Sequence, residues 1–196
     1  WARESGRNPL SPDEAFPFLI VQLANYTART GAPIQKGLAE LREAQALTAE
    51  RLPNVGLALA IDVGEAADIH PRNKQTVGER LALAARRMAY GQDIPASGPV
   101  FKSMRVADGK AILTFDHTDG GLVVKGDALT GFAVRGQSGE FVHAAASMVG
   151  STIVVSAREV ATPAAVRYAW ADNPPANLYN GAGLPAVPFR TDRDSQ

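Results

Sequence analysis

The chain has 196 residues, a length that suits one domain with a sizeable hydrophobic core or two small domains. Its 20 Lys and Arg balance its 20 Asp and Glu, so the net charge of +0 gives no support to nucleic acid or an anionic membrane as a partner. The absence of cysteine excludes disulfides and thiol catalysis, and no apolar run is long enough to span a bilayer.

The first part of the sequence alternates apolar runs with helical patterns. We expect strands within residues 16–24 and 54–62, because both runs are apolar enough to be covered on both faces, as in a parallel sheet. Apolar residues at helical spacing predict helices over residues 36–51 and 74–90. Two strands are too few for a stable doubly wound sheet, so further strands are expected from elsewhere.

The two predicted helices carry recognisable faces and ends. The apolar side of the first helix is predicted to consist of Leu38, Leu41, Ala44 and Leu47. The apolar side of the second is predicted to consist of Val77, Leu81, Ala84 and Met88. Asn73 is a suitable N-cap for the second helix, and Gly91 suits the position just beyond its last turn.

After residue 92 the pattern changes to short alternating runs separated by turn residues. Asp108-Gly109 between two such runs predicts a β-hairpin. Regular short strands of this kind indicate an antiparallel β-sandwich, and we expect further strands at residues 131–135, 141–146, 152–156 and 165–170. The tail from residue 172 to 192 is rich in Pro, Asn and Gly but also apolar, so we expect it to pack as an extended arm.

His70 lies between the second predicted strand and the second predicted helix. Open α/β folds gather their chemistry at such strand–loop–helix junctions. Because Asp68 supplies a carboxylate two residues earlier, we expect the His70 imidazole to act as a general base. The sequence offers no convincing nucleophile for this base, so the rest of the site is expected to come from protein outside this chain.

Other candidate motifs favour structural roles. The Gly136–Gly139 segment contains a Gly-Gln-Ser run, but its place between two predicted strands indicates a hairpin turn rather than a nucleophile. The Asp116–Asp119 run, which includes His117, lacks a suitably spaced second histidine, so a solvated loop is favoured over a metal site. Four aromatic residues are more typical of a core than of a sugar-stacking surface: Tyr168, Trp170, Tyr179 and Phe189.

A set of segments in fixed order carries a family resemblance. They are residues 16–26, 68–75, 88–91, 166–170, 177–180 and 183–192. These segments resemble the C-terminal half of the sialate O-acetylesterase family, a group of SGNH-type carbohydrate esterases. The His-Pro segment and the tail are the specific parts of the match.

The resemblance implies a serine esterase that removes O-acetyl groups from sugars. It implies that residues 1–92 are the C-terminal portion of a flavodoxin-like α/β catalytic domain and that residues 93–196 are an all-β, sandwich-like accessory domain. His70 corresponds to the family's catalytic histidine. The family's nucleophilic serine and oxyanion hole lie far upstream, so we expect the N-terminal half of the same protein, as an upstream segment or a second chain, to supply them.

The acid of the triad is less well defined by the resemblance. SGNH hydrolases commonly place it three residues before the histidine, where this sequence has Ala67. Asp68 is the first choice because it shares the loop with His70. Asp62, at the end of the second predicted strand, is the alternative, and an acid from the missing half is a third possibility.

The implied reaction needs no cofactor and no metal ion. The implied substrate is an acetylated carbohydrate, of the sialate or the plant-polysaccharide type. We expect a periplasmic or extracellular location, although no signal peptide is visible in this chain. The alternative function is a non-catalytic carbohydrate-binding or structural β-sandwich module, in which His70 would be structural.

Overall fold

The computed structural model describes residues 16–29 and 37–192, so residue 36, the predicted start of the first helix, lies outside the described residues. The described chain begins with a strand–helix–strand–helix segment, the α/β part. Its elements are β1 (Phe18–Val21), α1 (Leu38–Arg51), β2 (Val55–Ala58) and α2 (Lys74–Tyr90). Neither helix within the described residues is long and apolar enough to cross a membrane.

The two strands of the α/β part are parallel, in the register Phe18 with Val55 through Val21 with Ala58. Helix α2 lies close against β2 at Gly56, where an added Cβ would come within 2.6 Å of the Met88 sulfur. Two strands are fewer than a stable doubly wound sheet contains.

The described residues do not cover β1 on both faces, so its predicted cover by further strands from elsewhere stays a prediction. Phe18 is 65% exposed and Val21 is 39% exposed. The described residues provide only β2 as a neighbour in its sheet. The sequence of β1 is apolar enough for a strand buried on both faces, but the described residues leave part of it exposed.

Helix α2 has the predicted bounds and ends. The Asn73 side chain accepts from the Thr76 N–H at 3.1 Å, and Gly91 is left-handed at φ 61°. The predicted apolar side of α1 is not the face that this structure buries, because the buried residues are Ala39, Arg42 and Glu43, whereas Leu41 is exposed. The polar bonds of Arg42, rather than an apolar stripe, set the orientation of this helix.

The β-rich part, residues 93–192 as described, is antiparallel throughout. Its strands are β3 (Val100–Ala107), β4 (Lys110–Asp116), β5 (Leu122–Val124), β6 (Phe132–Arg135), β7 (Val142–His143), β8 (Ala145–Val149), β9 (Thr152–Ser156), β10 (Ala165–Tyr168), β11 (Leu178–Asn180) and β12 (Phe189–Arg190). They form sheets of order β12-β10-β6-β7 and β3-β4-β9-β8, with a separate pair β11-β5. Buried side chains of the two larger sheets, such as Leu113 and Val166, share one core, as in a β-sandwich-like fold.

The predicted hairpin is confirmed, and β6, β9 and β10 lie within the runs predicted at residues 131–135, 152–156 and 165–170. The β3–β4 hairpin turns at Asp108 and Gly109, which both have positive φ, as a two-residue type I′ turn requires. The predicted strand at 141–146 is instead divided, because β7 pairs with β6 in one sheet and β8 pairs with β9 in the other. The chain therefore passes between the sheets at Ala144.

The tail packs as predicted, with buried side chains along its length. It also forms two short strands that were not predicted, β11 beside β5 and β12 beside β10. Its buried apolar residues are Leu178, Tyr179, Leu184 and Phe189. Strand pairing therefore fixes the tail to both the β5 strand and one of the larger sheets.

Candidate functional site

The loop between β2 and α2 brings His70 and Asp68 together. One carboxylate oxygen of Asp68, Oδ1, accepts from the His70 backbone N–H at 2.8 Å and lies 3.2 Å from Nδ1 of the His70 ring. The two side chains are 83% and 49% exposed, respectively for His70 and Asp68. A carboxylate at Nδ1 favours the tautomer whose Nε2 accepts a proton, which is the arrangement of a general base.

The backbone N–H of His70 lowers the pKa of the Asp68 carboxyl below its usual value, with smaller lowering contributions from the His70 ring and Arg72. Asp68 therefore remains ionised well into the acidic range. An ionised partner at Nδ1 is the state that stabilises a positively charged imidazole.

The His70 loop, residues 64–72, is closed by its own polar bonds. The Arg72 N–H donates to Oε1 of Glu65 at 3.0 Å, and Arg72 Nε lies 3.6 Å from Oε2 of the same carboxylate. Glu65 and Asp68 also form an isolated antiparallel β-bridge. These contacts join the beginning of the loop to its end.

Asp62, the alternative acid, is engaged elsewhere. Its two carboxylate oxygens accept from the Arg80 guanidinium at 2.6 and 2.8 Å, and Oδ2 also accepts from the Tyr179 hydroxyl at 2.8 Å. Burial raises the pKa of Asp62, but the hydrogen bonds and charge of Arg80, with the Tyr179 hydrogen bond, outweigh burial and hold this pKa below its usual 3.8. Asp62, in the segment after β2, thus links that segment to α2 and to the tail.

A second polar contact lies at the beginning of the His70 loop. The Gly64 N–H donates to Oδ1 of Asn25 at 2.7 Å, and Asn25 Nδ2 donates to Oδ1 of Asn173 at 2.9 Å. A Cβ on Gly64 would overlap the Asn25 carbonyl oxygen, so the two segments approach as closely as a glycine allows.

Sequence reasoning did not assign these supporting roles. Asn25 and Tyr179 lie in segments that carry the family resemblance, but nothing local pointed to their contacts. The sequence predicted that Arg80 lies in α2 but did not predict its contact with Asp62. Each acts on a residue distant in the chain, the Asp62–Tyr179 pair being separated by 117 positions.

The other sequence candidates do not join His70. The Gly136–Gly139 segment lies between β6 and β7, as a turn would. Among the residues that the structure describes, no group of three or more His, Asp or Glu is arranged to hold a metal ion. Four aromatic side chains are buried in the β-rich part and are not available to stack on a sugar: Tyr168, Trp170, Tyr179 and Phe189.

A cleft of about 870 Å³ lies beside β2, between the α/β and β-rich parts. Its walls come from α1, α2 and the Asp93–Ser97 segment, together with residues 117–119 and 187–189. No residue of the loop from Asp62 to Asn73 lines it. The cleft is therefore separate from the His70–Asp68 pair.

No family model matches the chain. The sialate O-acetylesterase of Pongo abelii is 30% identical over 204 residues, which cover 91% of this chain and 38% of that protein. The sialate O-acetylesterase of Homo sapiens is 30% identical over 196 residues, which cover 89% of this chain and 36% of that protein.

A solved structure gives a closer match in sequence. The crystal structure of a carbohydrate acetylesterase from Xanthomonas citri matches with a TM-score of 0.86 and 45% identity, over 99% of this chain and 44% of that one. The chain thus spans less than half the length of these relatives. Because the matching region lies within one chain of the Xanthomonas protein, the comparison gives no support to a separate polypeptide as the source of the remaining residues.

Proposed function

The chain belongs to the sialate O-acetylesterase family, and from this premise we propose that it supplies the catalytic histidine of a serine-dependent carbohydrate acetylesterase. His70 is the general base and Asp68 is the acid that orients it. The nucleophilic serine and the oxyanion hole lie outside these 196 residues, on the remainder of the same protein. Residues 1–92 then complete a flavodoxin-like SGNH domain, and residues 93–196 are its accessory domain.

The observation that carries this proposal is the contact of Asp68 with both the backbone and the ring of His70. The pair stands on a loop that follows the carboxyl end of a parallel strand, where α/β enzymes place catalytic groups. Its solvent exposure leaves room for a serine and a substrate to approach. Asp62 is not proposed as the acid, because Arg80 and Tyr179 occupy its carboxylate.

In the proposed reaction, Nε2 of His70 takes the proton of the serine hydroxyl as the serine oxygen attacks the acetyl carbonyl carbon. The imidazolium then gives this proton to the sugar oxygen as the ester bond breaks. Water, deprotonated by the same nitrogen, then attacks the acetyl-enzyme. As the ester bond to serine breaks, the imidazolium returns the proton to the serine oxygen and acetate leaves. Asp68 stabilises the imidazolium in both halves of the reaction.

The proposal is tested by His70→Ala in the protein that carries the complete site. Acetate release from an acetylated sugar should fall by about a thousandfold or more. Because the His70 side chain is mostly exposed, the melting temperature should stay nearly unchanged. His143→Ala, on strand β7 of the β-rich part, is the matched control and should retain full turnover.

Near-normal turnover of His70→Ala would remove His70 from the mechanism. A serine-directed organophosphonate probe tests the second element of the proposal. It should label a serine outside these 196 residues, and labelling at Ser138 would contradict the assignment. A purely carbohydrate-binding module would instead bind the acetylated sugar without releasing acetate.

The substrate and the location are part of the same proposal. Acetylated carbohydrates of the sialate or plant-polysaccharide type are the proposed substrates, and a periplasmic or extracellular site is the proposed location. Acetate release from sialate esters compared with acetylated xylan distinguishes the two substrate types. Fractionation of cells that express the protein tests the location.

A further inference from the structure

We infer that Tyr179 is a positioning residue for His70, acting from the β-rich part through a hydrogen bond to Asp62 at the base of the His70 loop. This inference deepens the proposed function and rests on it for its catalytic meaning. Whether the tail restrains the His70 loop is tested separately from catalysis.

Packing contributes little to the position of the His70 ring, since its side chain is 83% exposed. Its place is set by the loop. The contacts of Glu65 with Arg72 and of Asp68 with His70 close the loop internally, so it can move as a unit. The position of His70 then depends on how the ends of this unit are attached to the fold.

The attachment at the beginning of the loop is Asp62, two residues before Gly64. Arg80 binds the Asp62 carboxylate from α2, the helix that follows the loop. Tyr179 binds the same carboxylate from β11, in the tail of the β-rich part. Arg80 thus joins the two ends of the loop, and among the described residues Tyr179 is the partner from the β-rich part at that carboxylate.

The Tyr179 hydroxyl remains a hydrogen-bond donor, and its ring is held in place. Burial raises the pKa of its hydroxyl above the usual 10, and the Asp62 charge raises it further, so the group stays protonated and donates. The Lys125 ammonium lies 3.6 Å from the centre of the ring, over its face. The ring is thereby restrained on one side while its hydroxyl holds Asp62.

The β-rich part reaches the same loop by a second route. Asn173 holds the Asn25 side chain, which accepts from the Gly64 N–H. The β-rich part therefore reaches the beginning of the His70 loop twice, directly through Tyr179 at Asp62 and indirectly through Asn25 at Gly64. These two contacts are what a restraint on the His70 loop requires. A tyrosine that was only buried, without a bond to Asp62, would not restrain the loop.

The experiment compares Tyr179→Phe with Tyr168→Phe in the full chain. Each variant removes one buried hydroxyl. The Tyr168 hydroxyl accepts from the Leu178 N–H in the β-rich core and serves as the matched control. Amide hydrogen exchange is measured at Gly64, His70 and Arg72, whose N–H groups are all bonded to side chains.

Tyr179→Phe should raise exchange at these three amides roughly tenfold, the size expected for loss of a hydrogen bond to a charged group. Tyr168→Phe should leave them unchanged, and Asn173→Ala, on the second route, should raise exchange at Gly64 most. Unchanged exchange in Tyr179→Phe, or an equal rise in Tyr168→Phe, would overturn the inference. If Tyr179→Phe does not fold, Asn173→Ala decides, and an unchanged Gly64 amide then counts against it.

The effect of Tyr179 on catalysis is measured in the protein that carries the complete active site. Tyr179→Phe should lower kcat several-fold with KM unchanged, because the position of His70 changes while the substrate contacts do not. If His70→Ala retains activity, the proposed function fails, yet the exchange result still stands for the restraint. If His70→Ala is inactive but Tyr179→Phe has normal kcat and normal exchange, only the positioning role fails.

Discussion

Arg190 donates from Nε to both carboxylate oxygens of Glu43, each at 3.1 Å, although 147 positions separate the two residues. Glu43 lies on α1, and Arg190 is the last residue of β12. This ion pair ties the tail of the β-rich part to α1. The contact of Tyr179 with Asp62 ties the same tail to the segment after β2. Polar contacts between the two predicted domains therefore help to hold both of them in place.

The first prediction concerns Asp68→Asn. An asparagine retains an acceptor for the His70 N–H but favours the wrong tautomer of the ring and loses the negative charge. Turnover should fall by about a hundredfold or more, with little change in melting temperature because Asp68 is exposed. Ester hydrolysis of the purified variant provides the measurement.

Asp127→Asn, on an exposed turn of the β-rich part, is the control and should be active. The assignment of the acid fails if Asp62→Asn, assayed where it is fully folded, loses more turnover than Asp68→Asn. It also fails if both variants are nearly normal, which would place the acid outside this chain.

The second prediction concerns the pH dependence of stability at Asp62. Because the pKa of Asp62 in the fold lies below its usual 3.8, its stabilising contribution is complete above about pH 5 and is lost as the pH falls through the folded pKa. Asp62→Asn should lower the free energy of unfolding at pH 7 by about 3 kcal/mol, since it leaves the buried Arg80 without its charged partner.

Urea unfolding at several pH values between 3 and 7 checks this prediction. The difference between the native protein and Asp62→Asn should narrow as the pH falls below about 4. Asp192, paired with Arg167, has its pKa shifted in the same direction and contributes to acid sensitivity in both proteins. A difference that stays constant across this range would show that Asp62 does not stabilise the fold through its charge.

Local signals were sufficient to predict some elements from the sequence. Helix α2 has a side-chain cap at Asn73 and a left-handed Gly91, and each end is fixed by residues next to it. The β3–β4 hairpin is likewise fixed by its two turn residues, Asp108 and Gly109. The contact between His70 and Asp68 was predictable for the same reason, since both residues lie within one short loop.

Features that depend on distant partners were not predictable in this way. Arg42 orients α1 by donating to backbone carbonyls near residues 23–24 and 171–172, and the second pair lies about 130 positions away. The strand β11 pairs with the distant strand β5, from Leu178 with Val124 to Asn180 with Leu122. The roles of Asn25 and Tyr179 at the His70 loop were missed because their partners are equally remote in the sequence.

The third prediction compares two glycines. Gly64→Ala places a methyl group on the carbonyl oxygen of Asn25, so it should destabilise the protein by roughly 2 kcal/mol and lower turnover by displacing the His70 loop. Gly78→Ala, in the second turn of α2 with nothing within 4 Å of its added methyl, should stabilise the protein by about 0.5–1 kcal/mol. Thermal and urea unfolding distinguish the two results.

Equal effects of the two substitutions would show that the close approach of Gly64 to Asn25 has no energetic weight. A Gly64→Ala variant of normal stability and reduced turnover would instead show that the loop adapts to the methyl group at the expense of the His70 position.

The last prediction is that residues 1–92 do not fold when expressed without the β-rich part. Arg42 is fully buried and loses its acceptors at Ala171 and Asp172 in such a fragment. Glu43 loses Arg190, and Asp62 loses the Tyr179 hydroxyl. Removing one partner of a buried charged contact typically costs several kcal/mol, so the fragment loses about as much as a small domain's whole stability.

Solubility, circular dichroism and thermal melting of the fragment check this expectation, with residues 93–196 as the comparison. The comparison fragment retains both larger sheets and the core between them, so it should remain soluble and melt cooperatively. A soluble, monomeric fragment of residues 1–92 with a cooperative transition would contradict the prediction. It would also show that the polar contacts made by the tail position the α/β part without being needed to fold it, because Arg42 would then find other acceptors.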